Sequence, residues 1–169
     1  MISSQKEKDI LAALVVKFGA VSGVSNIVTT DDLLDSKQDV IKAICIKDSD
    51  NATVVKFCQV KYVGWRDSET DGCDDDPVSF MRYNVHIFQQ YTAKRKNNST
   101  PLDDIKALDI ELHNKFRDKN RKLYDALDVA LPKCESQPLA PVSDITLEVD
   151  ALTGVYGYFR DYLLEVECL

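Results

Sequence analysis

Residues 80–91 alternate. Met81, Tyr83, Val85 and Ile87 share one parity, and Arg82, Asn84 and His86 share the other. Successive side chains of a strand point to opposite faces, so the run predicts a strand with one buried and one wet face. Such a strand dictates its surroundings: it needs strands along its edges and an apolar cover on one face only. Two further segments repeat the pattern near the end of the chain. Ile145, Leu147, Val149 and Ala151 alternate with Asp144, Thr146, Glu148 and Asp150. After a hairpin turn at Thr153-Gly154, a last strand over 156–168 puts Tyr156, Tyr158, Tyr162, Leu164 and Val166 on one face.

The cover comes from helices. Ser4 and Glu7 have capping-box spacing; Ile10, Leu11, Leu14, Val15 and Phe18 form an apolar stripe, and Gly19 stops it. Thr100 caps a second helix with Pro101 at its first position and Asp103 and Asp104 in its first turn. Its stripe is Ile105, Leu108, Leu112 and Phe116. Continued to Leu131, this helix would run about 45 Å, longer than the roughly 40 Å diameter of a compact chain this size. A break is therefore expected at 118–120, with a short helix over 121–130 ended by Pro132. Residues 20–39 read as an irregular connection, 40–46 as a short buried strand and 53–65 as a long strand rich in β-branched and aromatic residues. Residues 132–142, with three prolines, read as an extended connector. The predicted order is α-β-β-β-α-(α)-β-β. It describes a single α+β domain over 1–169, with a mixed or antiparallel sheet and helices packed on one face.

Composition narrows the partners. A chain of 169 residues, 44% hydrophobic, can bury a core without disulfide or metal staples. Its net charge of −7 opposes nucleic acid and anionic membranes. The cysteines, Cys45, Cys58, Cys73, Cys134 and Cys168, are odd in number and form no CxxC pair, which fits a reduced intracellular compartment. The first residues lack the pattern of a signal peptide, and no apolar run approaches the roughly 18 residues of a membrane span. Asn51-Ala52-Thr53 and Asn98-Ser99-Thr100 match glycosylation acceptors but read as turn and cap residues.

Chemistry is sparse. Asp67, Glu69, Asp71 and Gly72 match the opening positions of a calcium loop, yet Val78 stands where the bidentate glutamate belongs, so a solvated hairpin loop is expected. Gln59-Val60-Lys61 resembles the (Glu/Gln)-x-Lys of PD-(D/E)XK nucleases, with Asp48 or Asp50 as the upstream acid and Glu7 as a possible helix carboxylate. His86 shares the wet face of its strand, and His113 lies mid-helix beside the apolar stripe. No GxSxG, HExxH or P-loop pattern occurs. No residue is assigned a catalytic, cofactor-binding or metal-binding role. Lys94-Arg95-Lys96 and the group Lys115, Arg117, Lys119, Arg121 and Lys122 oppose the acidic loop 67–76 in sign. Opposite patches on one chain suit head-to-tail association, which closes into a ring when the rotation permits.

The whole pattern resembles the tail-terminator proteins of tailed bacteriophages, the minor tail protein U type, over most of the chain. The resemblance is carried by the amphipathic helix over 4–18, the short apolar strand Val40-Ile41-Lys42-Ala43-Ile44-Cys45-Ile46 and the aromatic strand over 80–88. It also rests on the helix opening Pro101-Leu102-Asp103-Asp104 and on the closing hairpin, whose last strand covers 156–166. The long second strand with its acidic loop departs from the family, and related neck and tail-completion proteins share the organisation. The resemblance implies a virion protein, assembled in the host cytoplasm, that acts through binding geometry without a chemical step or cofactor. It would form a homo-oligomeric ring, usually a hexamer, between the tail tube protein and the head–tail connector. The runners-up are a Mg²⁺-dependent PD-(D/E)XK nuclease and a small adaptor domain with no phage connection.

Overall fold

The computed structural model describes residues 3–21, 26–28, 56–68, 78–91, 101–117, 122–123, 134–150 and 155–168. Helix α1 spans Ser4–Gly19 and strand β1 Asn26–Val28; β2 spans Lys56–Asp67 and β3 Ser79–Tyr91. Helix α2 follows at Pro101–Lys115, then β4 at Cys134–Ser136, β5 at Ala140–Pro141, β6 at Thr146–Asp150 and β7 at Val155–Cys168. The fold is α+β, dominated by one sheet. β1 runs parallel to β2, every other pairing is antiparallel, and the path is β1-β2-β3-β7-β4, with β5 and β6 also on β7.

The alternation at 80–91 has its expected consequence. Met81, Tyr83, Val85 and Ile87 are buried, while Arg82, Asn84 and His86 are half-buried on the other face. β3 pairs with β7 without a slip from Phe80↔Glu167 to Tyr91↔Tyr156. Cross-strand partners share a face, so Tyr162, Leu164 and Val166 join the buried side, with Cys58 and Val60 from β2. Both helices cover this side. Ile10, Leu14 and Phe18 of α1 and Ile105, Leu108 and Leu112 of α2 belong to the same core, and the Phe18 and Phe116 rings meet at 4.9 Å. On the opposite face Phe88 stacks on Phe159 at 4.3 Å, a second buried apolar contact.

Several expectations shift. Ser3, one residue before the expected cap, closes the start of α1: its Oγ accepts from the Lys6 amide at 3.2 Å. Strand β1 replaces part of the expected irregular connection. α2 ends at Lys115, ahead of the expected break. Where the short helix should restart, Lys122 instead forms a β-bridge with Glu135. Leu147 lies opposite Tyr158 on the expected face, but it is 50% exposed. The expected strand at 40–46, the remainder of the short helix and the turn at Thr153-Gly154 lie outside the described residues.

The supposed connector carries β4 and β5, and with β6 it forms an interrupted edge along β7. Between Ser136↔Val166 and Ala140↔Leu163 the edge advances four residues while β7 advances three. Between Pro141↔Tyr162 and Thr146↔Phe159 it advances five against three. At the second slip Ser143 Oγ accepts the Asp161 amide at 3.0 Å, standing in for a ladder carbonyl. Pro141 fits because Val142 N–H, not residue 141, reaches across to the Asp161 carbonyl at 2.9 Å. The proline therefore occupies a position whose nitrogen faces away from β7. β2 carries a bulge between Tyr62 and Gly64, and Gly64 has φ of 129°. Only glycine takes that conformation without strain.

Candidate functional site

Titratable groups meet under α2. Asp109 comes one residue after buried Leu108 and four after buried Ile105, so it sits at the margin of the helix's apolar stripe, facing β7. Arg160 and Tyr162 are alternate residues of β7 and share the helix-covered face. The Asp109 carboxylate accepts from Arg160 Nη1 at 2.7 Å and, through its other oxygen, from the Tyr162 hydroxyl. With Ile110, His113, Leu139 and Pro141 these three groups line a pocket of about 290 Å³. Arg160 Nε is buried without a hydrogen-bond acceptor among the described residues.

The electrostatics of this cluster favour a latch over an acid–base pair. Burial and the hydrogen bond to Asp109 push the Tyr162 hydroxyl far above its usual range, so it stays protonated as a donor. A nucleophilic or basic tyrosine would need the opposite shift. The pair of charge-assisted contacts instead ties the middle of α2 to β7. His113 stands one turn beyond Asp109 at the exposed rim of the pocket.

The opposite face carries its own pairs. Arg66 Nε and Nη2 reach the two oxygens of Glu165 at 2.6 and 2.5 Å, crossing over β3. The bulge at Gly64 makes this possible: beyond it Arg66 pairs with Phe80 on the open face, and its guanidinium lies 4.5 Å over the Phe80 ring. Arg82 Nε lies 3.4 Å from Glu165. Hydrogen bonding to Arg66 holds the Glu165 carboxyl below the usual carboxylate range. Two rows along, past Asn84 and Leu163, His86 Nδ1 and Asp161 Oδ1 are 2.7 Å apart; the expected solvent-facing histidine is half-buried and engaged. At the ends of the helices, Lys17 is 7% exposed with its ammonium over the Phe116 ring at 4.6 Å. Burial, then the Lys115 charge, lower its pKa to about 8.

The sequence candidates are dispersed. Gln59 and Lys61 do share the open face of β2, but Gln59 is buried opposite His86, and Lys61 pairs with Asn84. Three carboxylates of that face are engaged elsewhere: Asp161 with His86, Glu165 with Arg66 and Glu167 with Gln137. Glu7 belongs to α1, on the helix-covered side of the sheet. Asp48 and Asp50 lie outside the described residues, as do Glu69, Asp71 and Gly72 of the acidic loop. Asp67 closes β2 and accepts from Ser79 Oγ at 2.7 Å; Ser68 and Val78 bond to one another across the base of the loop. Among the described residues no group of three or more His, Cys, Asp or Glu could hold a metal ion, and no helix is long and apolar enough to cross a membrane. Of the basic clusters, Arg117 and Lys122 are exposed and Lys115 is half-buried, while Lys94, Arg95, Lys96, Lys119 and Arg121 lie outside the described residues.

Sequence reasoning missed Asp109 and Arg160. The available signal was an arginine at the same parity as Tyr158, Tyr162 and Leu164. A cation on a buried face calls for a buried acid. Comparison of the chain with protein-family models and with curated protein sequences returns no match.

Proposed function

We propose that the protein is a structural, ring-forming component of a phage tail or neck, acting as a tail terminator that joins the tail tube to the head connector. The observation that supports this reading is the placement of exposed apolar side chains on opposite edges of the sheet. Val63 and Trp65 are 43% and 58% exposed on β2. Val142 and Leu147 are 61% and 50% exposed on the far side, beside β5 and on β6. Two unlike apolar edges suit a head-to-tail contact, the kind that repeats around a closed ring. The bulge at Gly64 also leaves β2 irregular where a neighbour would approach, favouring side-chain docking over simple strand addition. The function is then geometric: an interface seats the ring on the tube end and stops its growth, with no bond made or broken.

The test is sedimentation of the full chain over a range of protein and salt concentrations, alone and with tail tubes, with particle images of each sample. Rings on tube ends, lost in Trp65→Asp and in Val142→Asp while both variants stay folded, are the expected result. A chain that stays monomeric and binds no tube overturns the reading, as does Mg²⁺-dependent DNA cleavage abolished by Lys61→Ala.

A further inference from the structure

Cys134 and Cys168 stand directly opposite one another where β4 pairs with β7. The type of that pair follows from two independent bonds. Gln137 N–H donates to the Glu165 carbonyl at 2.6 Å, which makes 137/165 a hydrogen-bonded pair. Such pairs alternate, so 135/167 is hydrogen-bonded and 134/168 is not. From the other side of β4, Leu123 N–H donates to the Cys134 carbonyl at 3.1 Å, so the polar backbone of residue 134 faces away from β7. Both bonds assign Cys134 and Cys168 to a non-hydrogen-bonded pair. Cα atoms in such a pair approach to about 4.5 Å, inside the range of about 4.4–6.8 Å that a disulfide spans.

We propose that Cys134 and Cys168 are a disulfide site, a cross-strand bond that staples the interrupted edge onto β7 when the protein meets an oxidising thiol pool. The chemistry is thiol–disulfide exchange with an external disulfide such as oxidised glutathione. One cysteine thiolate attacks the external disulfide, forming a mixed disulfide and releasing one glutathione thiolate. The second cysteine thiolate attacks the protein sulfur of that mixed disulfide and releases the other. Two protein thiols lose two electrons in total; the released thiolates carry these electrons and take up the two protons. The Cys134 side chain is fully buried, so the first step follows transient opening of the three-residue strand β4. Cys58 is a built-in contrast. It is as buried as Cys134, but its cross-strand partners are Ile27 on β1 and Ile87 on β3, so no second cysteine stands opposite it.

The experiment treats the full chain with oxidised glutathione, with and without urea below the unfolding midpoint, followed by proteolysis without reductant and mass spectrometry. The expected product has lost two hydrogens and yields a linked peptide pair containing Cys134 and Cys168. Its formation is faster in urea, and its Tm is higher by about 5–10 °C. Reductant reverses these changes, and Cys168→Ser abolishes them. Linkage of either residue to Cys45, Cys58 or Cys73 overturns the proposal. So does a persistent glutathione adduct at Cys134, or a chain left unoxidised where amide exchange shows β4 to open.

Discussion

Strand β7 is bordered by two neighbours of different construction. Against β3 it pairs residue for residue from Tyr156 to Glu167. Against β4, β5 and β6 it is served by three fragments whose register slips twice. On the β3 side both strands alternate along the core, Met81 to Ile87 against Tyr162 to Val166, so a slip of one residue would turn those buried side chains to the wrong face. On the other side register is set locally, by a serine hydroxyl replacing a carbonyl and by a proline in a position that needs no donor. Burial pins the first edge as a unit; the second is held piece by piece.

The largest test of this contrast is a matched pair of truncations. Ile87→Ala in β3 is expected to cost about 3 kcal/mol, and Leu147→Ala in β6 less than about 0.5 kcal/mol, both read from urea unfolding. Equal costs would break the comparison. Asp109→Ala leaves Arg160 and Tyr162 facing β7's cover without their acceptor and is expected to cost about 2–3 kcal/mol. Tyr162→Phe, which keeps the ion pair, should cost about 1 kcal/mol. Gly64→Ala meets no atom within 4 Å, so the loss of about 1–2 kcal/mol expected from its positive φ is purely conformational. Ser143→Ala removes the substitute acceptor for Asp161 and should cost about 1 kcal/mol. Faster amide exchange at Asp161, but not at Asn84 in β3, would localise that loss to the interrupted edge.

The smallest effect depends on pH. The Glu165 carboxyl is held lower in the folded chain than in the unfolded one. Its stabilisation is therefore present above the ordinary carboxylate range and is lost as pH falls through the lower folded value. Glu165→Gln should lower Tm near pH 7, and the difference from the parent should shrink toward pH 3. A gap that widens in acid would reverse the assignment.

The same contrast explains what could be read in advance. The parity of residues 81–87 and 158–166 survives into the structure because both strands run unbroken. Across 134–150 it cannot, since the first slip changes parity: Cys134 and Ser136 face inward at even numbers, while Pro141 and Leu147 pair with the inward-facing Tyr162 and Tyr158 at odd ones. A strand edge thus reads as a connector. The Asp109–Arg160–Tyr162 latch was hidden for a different reason. Its members come from a helix and a strand some fifty residues apart, and no spacing rule links them. Arg66–Glu165 depends on a bulge that one glycine signals only weakly.

Pro141 has a consequence for how molecules of this protein recognise one another. Its nitrogen points away from β7, to the side where a foreign strand would seek a donor, and it has none to give. This stretch of the border is closed to backbone-templated growth, the route by which sheets fuse indiscriminately into fibrils. A neighbour arriving here must be selected by the shape and chemistry of Val142 and Leu147, so the proline turns a promiscuous margin into a discriminating one.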